Sequence, residues 1–429
     1  MERLAIHGGS RAVSATYRER WRNIRLRDAA LICAFASRDA NTIADGSGPI
    51  ARFERRFAEL TDTTYALAMN SGTATLHSAY LAVGVKPGTE VIVPSYTWFA
   101  SATPILQCGG TPVFCDIDER TLTADPDDVA RRITPRTRAM CVVHVWGNPA
   151  AMDRFVELAR RHDISLIEDC SHAPGATYRQ RPVGSWGDIG CFSLQGQKAV
   201  TGGEAGVAVT NDATLFDRML ALGHNGRTAG GQAANTFDID NISLGLKYRP
   251  HLYGILLAAG TLSRLGELNR HRRENYDILS SGLAGCQAVR AIESYPDAVR
   301  GGLLEFIFRF DPEHAGGWNC GAFAQAARAE GVPIAVDRYT QMGTRWRMLH
   351  EAPIFQDTWV SGLGGMLGKA RASGDAPPSS DGLEVSLRMS DRLLTIQPFT
   401  SVSKRFVRQC ADALRKVADC ARTMTDLRS

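Results

Sequence analysis

Short apolar runs alternate with amphipathic stretches from about residue 52 to residue 275. The runs are rich in β-branched residues and predict strands at 65–69, 90–94, 111–116, 138–144, 164–168, 188–193 and 206–210. Between most of them, apolar residues recur at helical spacing, over 73–83, 127–133 and 150–162. Such alternation is typical of an α/β layer and predicts a mixed, mostly parallel seven-stranded sheet. No helical pattern joins the last two runs, so an antiparallel strand is predicted there.

The pattern changes after residue 275. Helical spacing over 270–283, 318–330 and 404–421 flanks a predicted strand at 303–310. We therefore expect a large domain over 51–275, a smaller α+β domain over 276–429, and an N-terminal segment, 1–50, that packs on the small domain. The stretch 361–382 is crowded with glycine, serine and proline, a composition that predicts a flexible surface loop.

Charge and cysteine usage exclude several classes of protein. Lys+Arg 49 against Asp+Glu 45 gives a net charge of +4 over 429 residues, too dilute for a nucleic-acid-binding surface. The ten cysteines form no Cys-x-x-Cys pair, and no His-Glu-x-x-His occurs, so no metal site is predicted. The N-terminus lacks a signal-peptide core, and the longest apolar stretch, near 253–262, is too short to cross a membrane. These features favour a cytoplasmic protein with free thiols and no membrane partner.

One glycine motif has a structural explanation. The hexapeptide GSGPIA at 46–51 satisfies G-x-G-x-x-A, but a dinucleotide site needs an apolar strand before it. The preceding ANTIAD is not such a strand. We interpret the motif as a turn before a helix that starts near Arg52.

Three spaced segments carry residues suited to chemistry. MNSGTA at 69–74 ends a strand and opens a helix, where free N–H groups favour a phosphate, although the same pattern also serves as a plain cap. In IEDCSHAPGA at 167–176, Asp169 follows an apolar strand, where α/β folds place ligand-facing groups; a helix cap is the alternative. CFSLQGQKAVTGGEAG at 191–206 holds Lys198 between a strand and a glycine-rich turn. A single lysine is usually a surface group, so the functional interpretation depends on all three segments together.

In this combination the chain resembles the DegT/StrS-type sugar aminotransferases, pyridoxal-phosphate enzymes of the aspartate aminotransferase superfamily. The resembling blocks, in order, are GSGPIARFERRFAELT, MNSGTATLHSAYLA, PGTEVIVPSYTWFASATPI, GGTPVFCDID, IEDCSHAPGA, GDIGCFSLQGQKAVTGGEAGVAVTND and LGLKYRP. The resemblance implies the fold of fold-type-I pyridoxal-phosphate transferases. It also implies a homodimer with the cofactor at the subunit interface.

The resemblance implies roles for four residues around the cofactor ring. Lys198 would form the Schiff base with pyridoxal 5′-phosphate and move the proton during transfer, which requires a neutral amine. Asp169 would pair with the pyridine nitrogen, and Trp98 would stack on the ring. His172 would lie near the phenolic oxygen, with a structural histidine as the alternative.

The resemblance also implies a phosphate site. Gly72, Thr73 and Ser193 would bind the cofactor's phosphate through N–H groups and a hydroxyl. One departure lies nearby: the family's Gly-Glu-Gly-Gly is GEAG at 203–206, so a methyl group replaces a hydrogen.

A second departure concerns the neighbouring subunit. The family commonly has Asn in G-x-N-x-R, where this chain reads GLKYR at 245–249. Lys247 is expected to bind the phosphate held by the neighbouring subunit, or else to face substrate. Arg249 is expected to bind the donor's carboxylate, with a structural ion pair as the alternative. Gln195 and His172 are expected to contact a hydroxyl-rich acceptor.

The activity implied is an aminotransferase that moves an amino group from L-glutamine or L-glutamate to a ketone on a sugar or cyclitol ring. The setting would be secondary-metabolite (antibiotic-type) or cell-surface sugar biosynthesis. Lys198 stands where dehydratases of the family have histidine, which disfavours that branch. The alternatives are a lyase or decarboxylase on the same scaffold, and a non-catalytic regulator.

Overall fold

The structure, a computed structural model, describes residues 3–37, 43–227, 244–339, 348–355 and 382–423. The loop predicted at 361–382 lies outside these residues except for Gly382. The α-helices are α1 (Leu26–Ala36), α2 (Pro49–Thr61), α3 (Gly72–Ala82), α4 (Thr103–Gln107), α5 (Pro126–Arg132), α6 (Met152–His162), α7 (Ala213–Gly223), α8 (Leu252–Leu262), α9 (Leu265–Gly282), α10 (Cys320–Ala329), α11 (Glu384–Met389) and α12 (Lys404–Thr423). Short 3₁₀ helices lie at Ala5–His7, Phe99–Ser101, Val145–Gly147, Glu313–Ala315, Leu349–Glu351 and Pro353–Phe355.

The strands follow the same numbering. They are β1 (Tyr65–Met69), β2 (Glu90–Pro94), β3 (Thr111–Cys115), β4 (Thr137–Val143), β5 (Ser165–Asp169), β6 (Thr177–Tyr178), β7 (Arg181–Pro182), β8 (Ile189–Ser193), β9 (Gly206–Thr210), β10 (Val289–Ala291), β11 (Ala298–Val299), β12 (Phe306–Phe310), β13 (Ile334–Val336) and β14 (Leu393–Ile396).

All the strands predicted between residues 65 and 210 join one seven-stranded sheet, in the order β1-β9-β8-β5-β4-β2-β3. The pairs from β8 to β3 are parallel, whereas β9 runs antiparallel to both β8 and β1. The predicted antiparallel member is therefore β9, because no helix separates it from β8. Both faces of the sheet are covered: Val91 and Val93 pack in the cluster that contains α3 and α4, and Ile92 packs with α6 on the other face. Burial on both faces explains why the strands are continuous apolar runs.

The first three residues of GSGPIA belong to the predicted turn, whereas the last three already belong to α2, which starts at Pro49 and not near Arg52. Gly48 has a φ of 60°, a left-handed conformation that favours glycine, and Pro49 is the first residue of α2. After this turn, α2 packs on the sheet and buries Phe53 and Phe57.

The C-terminal part contains a four-stranded antiparallel sheet in the order β10-β12-β14-β13. The alternate residues Phe306, Phe308 and Phe310 of β12 point into a core closed by α9, α10 and α12. The predicted boundary at residue 275 falls inside α9, whose Leu265 and Leu268 belong to the large-domain core. The later turns of α9 belong to the small-domain core. One helix thus connects the two cores.

The N-terminal segment contacts both cores, whereas the sequence predicted packing on the small domain. Leu4 and Val13 are buried in the small-domain core. The N–H groups of Ala5 and Ala12 donate to the Glu330 carboxylate, each at 2.8 Å. Further along, α1 packs against α8 of the large domain.

The cysteines are all free, and most are buried. Burial raises the pKa of the Cys141 thiol, so this group stays protonated and unreactive. Within the described ranges, no helix combines the length and apolar character needed to cross a membrane.

Candidate active site

Most of the predicted site residues converge at the carboxyl ends of the strands. Asp169 is the last residue of β5 and Ser193 the last of β8, and both line a cavity of about 460 Å³. The lining includes the predicted residues Gly72, Thr73, Trp98, Asp169, His172, Ser193, Gln195 and Lys198. This is the edge at which open α/β sheets bind ligands.

The start of α3 forms one wall of the cavity. Ser71 caps the helix by accepting the Ala74 N–H on its Oγ at 3.1 Å. A Cβ added to Gly72 would lie 2.6 Å from the Cβ of Ser193, so only glycine allows this approach of helix and strand. The first N–H groups of a helix have no partner within it. Those of Gly72 and Thr73 therefore provide an anion site beside the Ser193 hydroxyl.

The departure at Ala205 is accommodated. The Ala205 carbonyl accepts the Leu194 N–H at 2.8 Å. The φ angle of Ala205 is not positive, so the methyl group causes no backbone strain. The side chain is buried in the large-domain core.

Asp169 is buried and held by two donors. The Ser101 hydroxyl donates to Oδ2 at 2.7 Å, and the Ser171 N–H donates to Oδ1 at 3.0 Å. Ser101 lies 3.0 Å from the Thr97 hydroxyl, and its carbonyl accepts the Tyr80 hydroxyl at 2.6 Å. Each oxygen of the Asp169 carboxylate keeps a lone pair, so the carboxylate can accept a further hydrogen bond from a donor in the cavity.

Lys198 lies on the loop between β8 and β9 and is largely withdrawn from water. Desolvation lowers the pKa of its amine from 10.5 to about 8; the negative charge of Asp169 opposes this, and the positive charge of Arg338 adds to it. A much larger fraction of the Lys198 amine is therefore neutral near physiological pH than in an ordinary lysine.

His172 is neutral, and its tautomer follows from its partners. The Trp146 N–H donates to Nδ1 at 3.1 Å, so Nε2 carries the proton and donates it to the Tyr339 hydroxyl at 2.8 Å. Burial lowers the pKa of the imidazole well below 6.5, and the charges of Lys198 and Arg338 act in the same direction. Because both ring nitrogens are engaged, a hydrogen bond from this pair to a ligand must come from the Tyr339 hydroxyl.

The structure adds residues that the sequence analysis missed. Gln197, Arg338 and Tyr339 line the cavity, and Ser101 orients Asp169. A weak signal existed for two of them, since Arg338 and Tyr339 closely follow the short apolar run of β13. For Ser101 there was none, because 68 positions separate it from Asp169 in sequence.

Lys247 and Arg249 do not line the cavity within one chain. Their loop is tied to the large domain: the Tyr248 carbonyl accepts the Asn70 N–H at 2.9 Å, and the Tyr248 hydroxyl lies 2.7 Å from His77 Nδ1. Lys247 is exposed and has a φ of 57°. Their expected roles toward a neighbouring subunit's site stay predictions.

A buried cluster of His144, Glu168 and Cys170, around the end of β5, has residue types that could bind a metal. Its hydrogen bonds are already made: the Glu168 carboxylate accepts three N–H groups from the turn at 184–187 and lies 3.0 Å from His144 Nε2. The Ala150 N–H donates to His144 Nδ1 at 3.1 Å, so Nε2 carries the proton. The cluster therefore stabilises the turn behind β5 and needs no ion.

The donor set fits pyridoxal 5′-phosphate. A helix start with an adjacent hydroxyl suits a phosphate, an oriented buried carboxylate suits a protonated ring nitrogen, and an amine of lowered pKa suits an aldehyde. The close approach of Gly72 to Ser193 leaves no side chain between the phosphate donors. Trp98 provides an aromatic face at the cavity, 5.9 Å from the Tyr339 ring centroid.

The lowered pKa of Lys198 can be measured on the cofactor-free protein. Since only the neutral amine reacts, the rate of trace acetylation at Lys198 should rise with pH and level off with a midpoint near 8. At pH 7 about one amine in ten is then neutral, against about one in 3000 at the ordinary pKa of 10.5. Peptide mass mapping reads the rate, with the exposed Lys86 in the same digest correcting for reagent decay. A midpoint above 10 would show that burial does not activate Lys198.

Comparisons with known proteins agree with this geometry. The model of the DegT/DnrJ/EryC1/StrS aminotransferase family matches residues 35–356. The chain is 37% identical over 287 residues to the L-glutamine:2-deoxy-scyllo-inosose aminotransferase of Micromonospora echinospora, covering 65% of this chain and 67% of that enzyme. It is 43% identical over 182 residues to the GDP-perosamine synthase of Escherichia coli O157:H7, covering 42% of this chain and only half of that enzyme.

The fold has close structural relatives. The crystal structure of DesI in the presence of its TDP-sugar product superposes with a TM-score of 0.76 at 28% identity, covering 98% of each chain. The large sheet, the cavity at the strand ends and the family match thus all point to the same family. The chain belongs to the DegT/DnrJ/EryC1/StrS aminotransferase family and has the fold of the fold-type-I pyridoxal-phosphate transferases.

Proposed function

We propose that the protein is a pyridoxal-phosphate-dependent aminotransferase that moves an amino group from L-glutamine or L-glutamate to a ketone on a sugar or cyclitol ring. The observation that carries the proposal is one cavity lined by the Lys198 amine, the Asp169 carboxylate and the open start of α3. A non-catalytic regulator would have no need of an oriented carboxylate and an amine of lowered pKa in one cavity.

The cofactor, when bound, supplies an aldehyde and an electron-withdrawing ring. The chain's own residues do the rest. The N–H groups of Gly72 and Thr73 and the Ser193 hydroxyl hold the phosphate, and Asp169 holds a proton on the ring nitrogen. The Lys198 amine, when free, would take the proton from the donor's α-carbon and deliver it to C4′ of the cofactor.

The substrate class is proposed from the relatives and the cavity wall. One relative is named for L-glutamine and 2-deoxy-scyllo-inosose, one for GDP-perosamine, and one structure holds a TDP-sugar product. Gln195, Gln197 and the Tyr339 hydroxyl give the wall polar groups of the kind that bind ring hydroxyls. We place the reaction in secondary-metabolite or cell-surface sugar biosynthesis.

The decisive test is a donor and acceptor screen with the loaded enzyme. L-Glutamine and L-glutamate carrying an isotope-labelled α-amino nitrogen are offered with keto-cyclitols and nucleotide-linked keto-sugars, and products are read by mass spectrometry. Label on the acceptor ring supports the proposal. Release of carbon dioxide or an elimination product, with no labelled amine formed, would identify a decarboxylase or lyase instead.

A homodimer with shared sites is part of the proposal. Lys247 and Arg249 lie off their own cavity, on a loop anchored beside the start of α3, and are proposed to reach the cofactor or substrate of the partner's site. A Lys198→Ala subunit and a Lys247→Ala/Arg249→Ala subunit should each be inactive as homodimers. Random mixing should restore about a quarter of wild-type activity, because half of the dimers then hold one intact site. Continued inactivity after proven subunit exchange would place this loop outside the site.

A further inference from the structure

Arg338 occupies a position in the cavity wall that the proposed mechanism does not yet use. It lies two residues after β13, and its Nη1 donates to Gln197 Oε1 at 3.1 Å. Its Nη2 pairs with Glu305 Oε1 at 2.9 Å. The Nε–H is buried and donates to no group in the part of the chain that the structure describes. A guanidinium has five N–H groups, so donors remain beyond the two bonds that hold it.

The charge balance of the cavity makes Arg338 important. Among the lining residues that the structure describes, the cations are Lys198 and Arg338, and the acids are Asp169 and Glu204. Lys198 must be neutral to react, and Asp169 is directed to the ring nitrogen in the proposed function. Arg338 keeps its charge because a guanidinium does not lose its proton in proteins. Among the groups that one chain contributes to the cavity, an anion held beside Lys198 therefore has Arg338 as its cationic partner.

We propose that Arg338 binds the α-carboxylate of the amino donor. This inference rests on the proposed function. The donor's α-carbon must come close to Lys198, and its carboxylate is one bond away from that carbon. The planar guanidinium can donate to both carboxylate oxygens, while Gln197 and Glu305 keep it from rotating. Arg338 would replace Arg249, which the sequence suggested for this role and which lies off the cavity lining.

A phosphate of a nucleotide-linked acceptor is the competing anion. Beyond Gln197, Leu304 and Arg338 a second, polar cavity of about 650 Å³ opens toward the N-terminal segment. The carboxylates of Glu19 and Glu305 line it together with one further guanidinium. This balance of charges does not favour a diphosphate there, since Glu305 already pairs with Arg338 and Glu19 adds a second negative charge.

The test uses the loaded enzyme and unreactive probes. Glutarate and its neutral diamide are titrated while the absorbance of the bound cofactor is followed. Wild-type enzyme should prefer glutarate, and Arg338→Gln should weaken glutarate binding roughly 10- to 100-fold with little change for the diamide. Arg338→Lys keeps the positive charge but lacks the planar fork of N–H groups. Its affinity for glutarate should therefore lie between those of the wild-type enzyme and Arg338→Gln. The matched control is Arg290→Gln, which removes an exposed small-domain arginine paired with Asp311 at 3.1 Å.

A second measurement compares half-reactions of L-glutamine and its α-amide. The wild-type preference for the free carboxylate should disappear in Arg338→Gln. Three results would overturn the inference: equal loss for glutarate and the diamide, loss of the preference in Arg249→Gln instead, or weaker binding of a nucleoside diphosphate with glutarate unaffected. If the wild-type enzyme accepts no amino group from any donor, the proposed function fails, and the glutarate titration still decides whether Arg338 binds carboxylates.

Discussion

Replacing Lys198 with alanine should lower kcat by roughly 10³-fold or more while cofactor binding stays measurable. The amine has two proposed tasks, holding the cofactor covalently and moving the proton, and alanine performs neither. Gly72, Ser193 and Asp169, the proposed phosphate and ring contacts, line the cavity independently of Lys198 and remain. Single-turnover absorbance measurements with L-glutamine give the rate, and equilibrium dialysis gives the cofactor affinity.

The control is Lys86→Ala, which removes an exposed lysine in the loop between α3 and β2. It should leave both quantities unchanged. Borohydride treatment of the wild-type enzyme followed by peptide mapping should locate the cofactor on Lys198. A label on any other lysine, or a Lys198→Ala enzyme within tenfold of wild type, would remove Lys198 from the proposed mechanism.

Asp169→Asn should slow the donor half-reaction by roughly 10²- to 10³-fold without unfolding the site. The amide preserves the shape of the carboxylate, and its oxygen can still accept the Ser171 N–H. Its NH₂ group then faces the Ser101 hydroxyl, which can reverse its role and accept, since Thr97 lies 3.0 Å from it as an alternative partner. What is lost is the negative charge that, in the proposed function, holds a proton on the ring nitrogen.

The expected direction of the pKa change at Lys198 excludes one trivial explanation for a slower reaction in Asp169→Asn. The charge of Asp169 raises the pKa of the lysine, so removing it should lower that pKa further and leave more neutral amine. A slower reaction in Asp169→Asn can then not be ascribed to a protonated Lys198. Asp127→Asn, at an exposed carboxylate paired with Arg154, is the matched control. Equal half-reaction rates in Asp169→Asn and wild type would make Asp169 a structural residue.

The sequence by itself determined the large sheet and the centre of the site. Every predicted strand between residues 65 and 210 is present, including the antiparallel β9, because parallel strands covered on both faces must be apolar throughout. Asp169 could be assigned to the site for a related reason, because open α/β sheets bind ligands at the carboxyl ends of their parallel strands. Ser193 and the role of the start of α3 in binding phosphate followed from the family resemblance.

The tertiary structure decided what depends on contacts between distant segments. Ser101 reaches Asp169 across 68 positions. Arg338 and Tyr339 enter the cavity from the small domain, and their only local signal is their place just after the short apolar run of β13. The boundary predicted at residue 275 lies inside α9, because one continuous amphipathic helix packs first on one core and then on the other. Hydrophobic periodicity reports which face of an element is buried. Only the folded chain shows which other element that face meets.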